Sequence, residues 1–297
     1  MRFALFLLIV AAAYGQSPEA TSLLGKPLIS APAAPKLMEN YQLAKSESDA
    51  APKDLEKLIW LGRRAGYIGR FQEAITVFSK GIELAPSNPK FYRHRGHRYL
   101  TTRQIDKAIA DFEKAAQLTR GKPDEIEPDG QPNKLNKPLS TLQFNIWYHL
   151  GLAHYLKGDF KKALAAYEEC MKRSRSNDDS LVATSDWLYM TLRRLGRDAA
   201  AKKVLEPIHE KMDIIENTSY WNRLLMYKGL RTPESVLDPK GADDLTVATQ
   251  GYGVGNWYLY NKQEAKAKEI FDRVVAGKQW AAFGYLAAEA ELARARR

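Results

Sequence analysis

Leu61-Gly62-Arg63-Arg64-Ala65-Gly66-Tyr67-Ile68-Gly69-Arg70-Phe71-Gln72-Glu73-Ala74-Ile75-Thr76-Val77-Phe78 is the stretch that decides the fold. Its Gly62, Ala74 and Phe78 return 34 residues later as Gly96, Ala108 and Phe112. The set recurs as Gly151, Ala163 and Tyr167, and as Gly255, Ala267 and Phe271, always with steps of 12 and then 4 residues. The spacing predicts two antiparallel helices over 57–68 and 71–84, with Gly69 at the turn and Pro86 where the second helix stops. Glycine costs about 1 kcal/mol of helix propensity relative to alanine, so its return at each crossing needs a packing reason. That reason is read as close approach of Gly62 to Ala74. Phe78, one helical turn beyond Ala74, is placed in the seam to the next repeat. A helix–turn–helix unit of this period stacks on its own copies.

Further positions share the register. Leu61-Gly62, Ala74, Phe78 and Pro86 are followed by Gly96, Tyr99, Ala108, Phe112 and Ala115, then by Trp147, Leu150-Gly151, Ala163 and Tyr167. A weaker copy holds Leu188, Leu192, Gly196, Ala201 and Leu205, with Tyr189 in place of the small residue. Gly255, Tyr258, Ala267 and Phe271 form a later copy, and Trp280, Phe283-Gly284 and Ala287 a terminal half-repeat. This pattern resembles the tetratricopeptide repeat family. The resemblance implies an all-α, right-handed superhelix of about five helix pairs plus a terminal helix. It also implies a non-catalytic role in holding a protein or peptide partner. From Trp187 onward the order of elements is loosely similar to the NlpI-type periplasmic adaptors, although the lipid-bearing cysteine of that family is missing.

The register organises the chain into repeats near 55–88, 89–120, 144–177, 182–215 and 248–278, a shortened repeat at 216–240 and a terminal helix at 279–296. The step from Gly96 to Gly151 contains an insertion at 121–140, where Pro123, Pro128, Pro132 and Pro138 exclude a long helix. Asp124, Glu125, Glu127 and Asp129 make it locally acidic, without the ligand spacing of a calcium loop. Residues 16–53 are rich in Ala, Pro and Ser and read as a linker with one short helix at 37–45. Ahead of them, Met1-Arg2, an apolar run at 3–13 and Ala13-Tyr14-Gly15 read as a signal peptide over 1–15. The expectation is an exported protein, periplasmic or secreted, with no transmembrane anchor.

The formal net charge is +10. Export, and the lack of a Lys/Arg block with interleaved aromatics, argue against nucleic acid and toward anionic polymers or acidic peptides. Cys170, the single cysteine, takes the small position that Ala115 fills one repeat earlier, and so reads as a core thiol. No phosphate loop or nucleophile motif appears, and no catalytic residue, cofactor or metal is assigned.

The resemblance implies that first helices line a concave face. Carried over residue by residue, it places Arg63, Tyr67, Lys90, Arg93, His97, Tyr148, Tyr155, Arg193, Asn256 and Tyr260 in a basic, aromatic groove. Arg and Tyr are the types enriched in binding hot spots, and Arg can grip a carboxylate in bidentate fashion. An alternative is an exported hydrolase or ligand-binding protein whose site unites His94, His97, His149 and the acidic insertion. A third is a structural oligomer.

Overall fold

The structure is a computed structural model that describes residues 17–237 and 244–296. A small hairpin, β1 (Ala20–Thr21) with β2 (Pro27–Leu28), leads into α1 (Pro35–Ala50). Antiparallel helix pairs follow. They are α2 (Leu55–Tyr67) with α3 (Phe71–Leu84), α4 (Pro89–Thr101) with α5 (Ile105–Thr119), and α6 (Leu142–Lys157) with α7 (Phe160–Met171). Next come α8 (Asp178–Arg194) with α9 (Asp198–Val204), the short pair α10 (Thr218–Tyr227) with α11 (Pro233–Leu237), and α12 (Asp244–Tyr260) with α13 (Glu264–Ala276). A last helix, α14 (Phe283–Arg294), ends the described chain. The leader at 1–15 and Pro239 lie outside the described residues, among which no helix is long and apolar enough to cross a membrane.

Local chemistry starts and turns these helices. Asp54, Asn88, Thr141 and Asn177 accept main-chain N–H bonds at the starts of α2, α4, α6 and α8, satisfying donors that have no partner within the helix. At the turns, the N–H of Arg70, Gln104, Asp159, Arg197 and Gln263 donates to a carbonyl five residues back, at 2.8–2.9 Å. The residue before each donor has positive φ: Gly69, Gly158 and Gly196, but also Arg103 (+65°) and Lys262 (+61°). This is the helix-ending geometry that favours glycine, and two copies build it with a bulky residue.

The repeat glycines have a packing role that differs from the expected one. A Cβ on Gly62 would lie 2.4 Å from the Phe78 ring, and equivalent atoms on Gly96, Gly151 and Gly255 would lie 2.9, 2.7 and 2.6 Å from Phe112, Tyr167 and Phe271. The aromatic ring of the same repeat, rather than the alanine, fills the space each glycine vacates. Phe78 also reaches the next repeat, stacking on His94 with ring centroids 5.5 Å apart. Cys170 is fully buried, as expected of a core thiol, and burial pushes it up to about 12.

Residues 17–53 are not a linker. Helix α1 is longer than the predicted 37–45, buries Tyr41 and Ala44, and lends the Tyr41 hydroxyl to Glu73 at 2.6 Å. Its few apolar residues gave no strong period, and contact with α2 supplies what propensity does not.

The array also closes on itself. The Trp280 ring packs edge-on against Phe71 at 5.2 Å, and its Nε1 donates to the Ile29 carbonyl at 2.8 Å. Arg103 of the second repeat pairs with Glu289 of α14 at 2.6 Å, both side chains almost fully buried. The Leu23 N–H in the N-terminal hairpin also donates to Glu289. The N-terminal hairpin and the terminal helix meet over the edge of the early repeats, and α14 lies against α6 and α12.

Candidate functional site

This closure divides the ten proposed groove residues. Tyr155 and Asn256 are sealed: the Tyr155 hydroxyl accepts from Tyr252 at 2.8 Å and from Asn256 Nδ2 at 2.9 Å. Glu291 of α14 binds Arg194 beside them at 2.6 Å, so the terminal helix covers the face where they were expected to be open. Arg193 and Tyr260 serve each other, the guanidinium lying 4.4 Å from the ring centroid, with Asp198 on Arg193 at 2.8 Å. Tyr148 is buried, accepting from Trp187 Nε1 at 2.8 Å and donating to the Tyr220 hydroxyl at 3.2 Å.

The other five come together. Arg63, Tyr67, Lys90, Arg93 and His97 project from α2 and α4 toward the 121–140 insertion, which lies across them. Lys90 pairs with Glu125 at 3.1 Å. Arg93 pairs with Glu127 at 2.9 Å, and both side chains are buried. Arg63 donates to the Pro128 carbonyl at 2.6 Å and Arg64 to the Gly130 carbonyl at 2.7 Å. The basic groove of the first two repeats therefore holds the chain's own acidic segment.

Behind the segment is a polar cavity of about 300 Å³, lined by Arg63, Tyr67, Arg93, His94, His97, Arg98, Glu127, Asp129, Asn145 and Glu216. A second hollow of about 300 Å³ shares Arg93, His97 and Glu216 with it and extends to His149, Tyr148 and Phe283. His97 and His149 meet with ring centroids 4.6 Å apart. Burial, and then nearby arginines, hold His94, His97 and His149 well below the usual imidazole range. Burial also lowers Arg98 to about 10 and raises the Asp129 carboxyl. Arg63 Nε, Arg93 Nε, Glu127 Oε2 and Asp129 Oδ2 are buried without hydrogen-bond partners. Among the described residues no group of three or more His, Cys, Asp or Glu could hold a metal ion.

Sequence reading missed Arg64, Arg98 and Glu216 in this site. It joined the acidic insertion to His94 and His97 only in the hydrolase alternative and did not place it across Arg63, Lys90 and Arg93. The signal was present: a locally acidic insertion in a basic chain directly follows the repeat that contains Lys90 and Arg93.

Comparison with known proteins agrees with the repeat geometry. Tetratricopeptide repeat family models match residues 61–124 and 144–177. The Hsp70-Hsp90 organizing protein of Triticum aestivum is 31% identical over 125 residues, covering 42% of this chain and 18% of that protein. The small glutamine-rich tetratricopeptide repeat-containing protein 2 of Saccharomyces cerevisiae is 26% identical over 173 residues, covering 54% of this chain and 44% of its own length. The chain thus spans less than half the length of these curated relatives. Among solved structures, YrrB, described as a TPR protein with an unusual peptide-binding site, aligns at 16% identity and a TM-score of 0.44 over 85% of this chain and 97% of its own. MamA aligns at 17% and 0.44 over 70% and 88%. The segments 61–124 and 144–177, which the family models match, are those in which Gly62, Gly96 and Gly151 pack on Phe78, Phe112 and Tyr167, so this part of the chain is built of tetratricopeptide repeats.

Proposed function

We propose that this protein is a non-catalytic interaction module that grips an acidic, extended segment of a protein partner along α2 and α4. One observation carries the reading: Lys90 and Arg93 already hold two carboxylates of an acidic segment, while Arg63 and Arg64 hold two of its main-chain carbonyls. Charge-assisted bonds of this kind are stronger than neutral ones. The adaptor role in the names of curated relatives is consistent with it. The apolar leader at 3–13 supports export, and with it a partner in the bacterial envelope. Capture of a partner from envelope extract is expected to be lost when Arg63, Lys90 and Arg93 become Ser, and kept when Arg193 and Tyr260 do. Equal capture by the two variants would overturn the assignment of the face.

A second reading rests on the polar cavity. His94, His97, His149, Glu127 and Asp129 surround adjoining hollows of about 300 Å³ each, room for a small charged ligand. A panel of amino acids and dicarboxylates screened by thermal shift tests it. A rise in midpoint that disappears in His97→Ala would favour this reading over the protein partner.

A further inference from the structure

The segment 122–132 reads Lys-Pro-Asp-Glu-Ile-Glu-Pro-Asp-Gly-Gln-Pro, and its orientation inverts what a structural lid requires. Ile126 is 66% exposed, whereas the Glu127 side chain is only 10% exposed and turned into the groove. A loop kept in place by the hydrophobic effect buries its apolar residue and leaves its carboxylate in water. This one is held by carboxylate–cation pairs and by arginines on bare carbonyls, contacts that any extended acidic chain could make.

Its ends are fastened near the start of α6, where its middle also makes two main-chain bonds, the Glu127 N–H to the Ser140 carbonyl at 3.0 Å and the Leu142 N–H to the Glu125 carbonyl at 2.9 Å. Asp124 accepts from the Thr141 hydroxyl at 2.6 Å and from the Gln143 N–H at 3.0 Å, at the start of α6. Beyond the far end, the Leu139 carbonyl accepts from Asn177 and Ser180 at 2.9 and 3.0 Å. For 125–130 to leave the groove, those two main-chain bonds must break along with the lysine and arginine contacts, while the Asp124 and Leu139 anchors still hold the start of α6. At its centre Gly130 sits so close to Tyr67 that a Cβ there would lie 1.8 Å from the hydroxyl oxygen. A side chain at position 130 would have to push Tyr67 aside, so glycine fits the bound segment best.

We infer that the 124–130 segment is a tethered occupant of the groove, and that the partner carries the same chemistry and must displace it. This rests on the groove reading above. The matching partner motif is two carboxylates two residues apart, with a glycine three residues after the second. A short tether holds the occupant at an effective concentration of about millimolar. It therefore weakens a matched partner with an intrinsic Kd of about 10 μM roughly 100-fold.

The test uses the full chain and a fluorescent peptide with the sequence of 122–132, followed by anisotropy at low salt. Glu125→Gln with Glu127→Gln weakens the tethered copy without changing its shape, and is expected to tighten peptide binding at least tenfold over the unaltered chain. Adding Lys90→Glu and Arg93→Glu to that background is expected to abolish it. Equal binding by the unaltered and Gln variants would overturn the displacement while leaving the groove intact. Absence of binding by either would overturn the groove reading as well. If the Gln variant loses its helical circular dichroism, the unaltered chain still decides. Saturating peptide is expected to speed Glu-specific proteolysis after Glu125 several-fold, and bound peptide with unchanged cleavage would overturn the inference.

Discussion

Lys262 ends α12 with φ at +61°, in the place where Gly69, Gly158 and Gly196 serve other repeats. A side chain in that conformation costs about 1–2 kcal/mol, which glycine avoids at some expense in unfolded-chain entropy. Lys262→Gly is therefore expected to stabilise by about 0.5–1 kcal/mol, seen as a melting temperature about 2 °C higher. The buried imidazoles set a pH dependence. The folded chain holds His94, His97 and His149 neutral, whereas the unfolded chain protonates them below about pH 6.5. Their contribution is thus present above that pH and lost on acidification, by about 1 kcal/mol per histidine over the first unit. Asp186, raised to about 6 by burial against the pull of Arg223, gains a proton in the folded state and offsets part of this loss. Melting at pH 7.5 and 5.5 should show a net fall that His149→Asn reduces. At this scale the sequence was most informative where a residue's role is local. Cys170 and Gly69 could be read from their neighbours. Tyr155 and Asn256 could not, because what seals them is a helix whose Glu291 lies far along the chain.

At the scale of elements, each repeat is a glycine-bearing helix laid on the aromatic ring of its partner. Gly62→Leu would drive a side chain into Phe78, where even a Cβ comes within 2.4 Å. It is expected to destabilise by about 1–3 kcal/mol or more through overpacking. Gly62→Leu with Phe78→Ala should recover part of that, as measured by urea unfolding. The repeat helices were legible because a fixed spacing of small and aromatic residues has no other economical packing. Helix α1 was legible only as a short helix within a linker, since Tyr41 and Ala44 are buried by contact with α2 and leave little period in the sequence. The insertion was legible as a break and as an acidic segment. Its place in the groove depends on cross-chain pairs, Lys90 with Glu125 and Arg93 with Glu127, that no periodicity encodes.

For the molecule as a whole, the decisive feature is that the array does not stay open. Arg103→Met would leave Glu289 as a buried charge without its cation, a loss expected to reach about 3–5 kcal/mol. Arg103→Met with Glu289→Leu should restore most of it, since a packed apolar pair replaces a buried ion pair well. Denaturant midpoints of the single and double variants check both. The joined ends also impose an order in time. A stacked array can begin to fold wherever neighbouring repeats exist, and a growing chain makes its amino end first. The hairpin around Leu23 can dock early on the first repeat, through Glu19 on Gln72 and Ser30 on Gly69, but its bonds to Trp280 and Glu289 wait until those residues have been synthesised. Every earlier stage is an unlatched molecule whose first repeats are complete but whose closing contacts are missing.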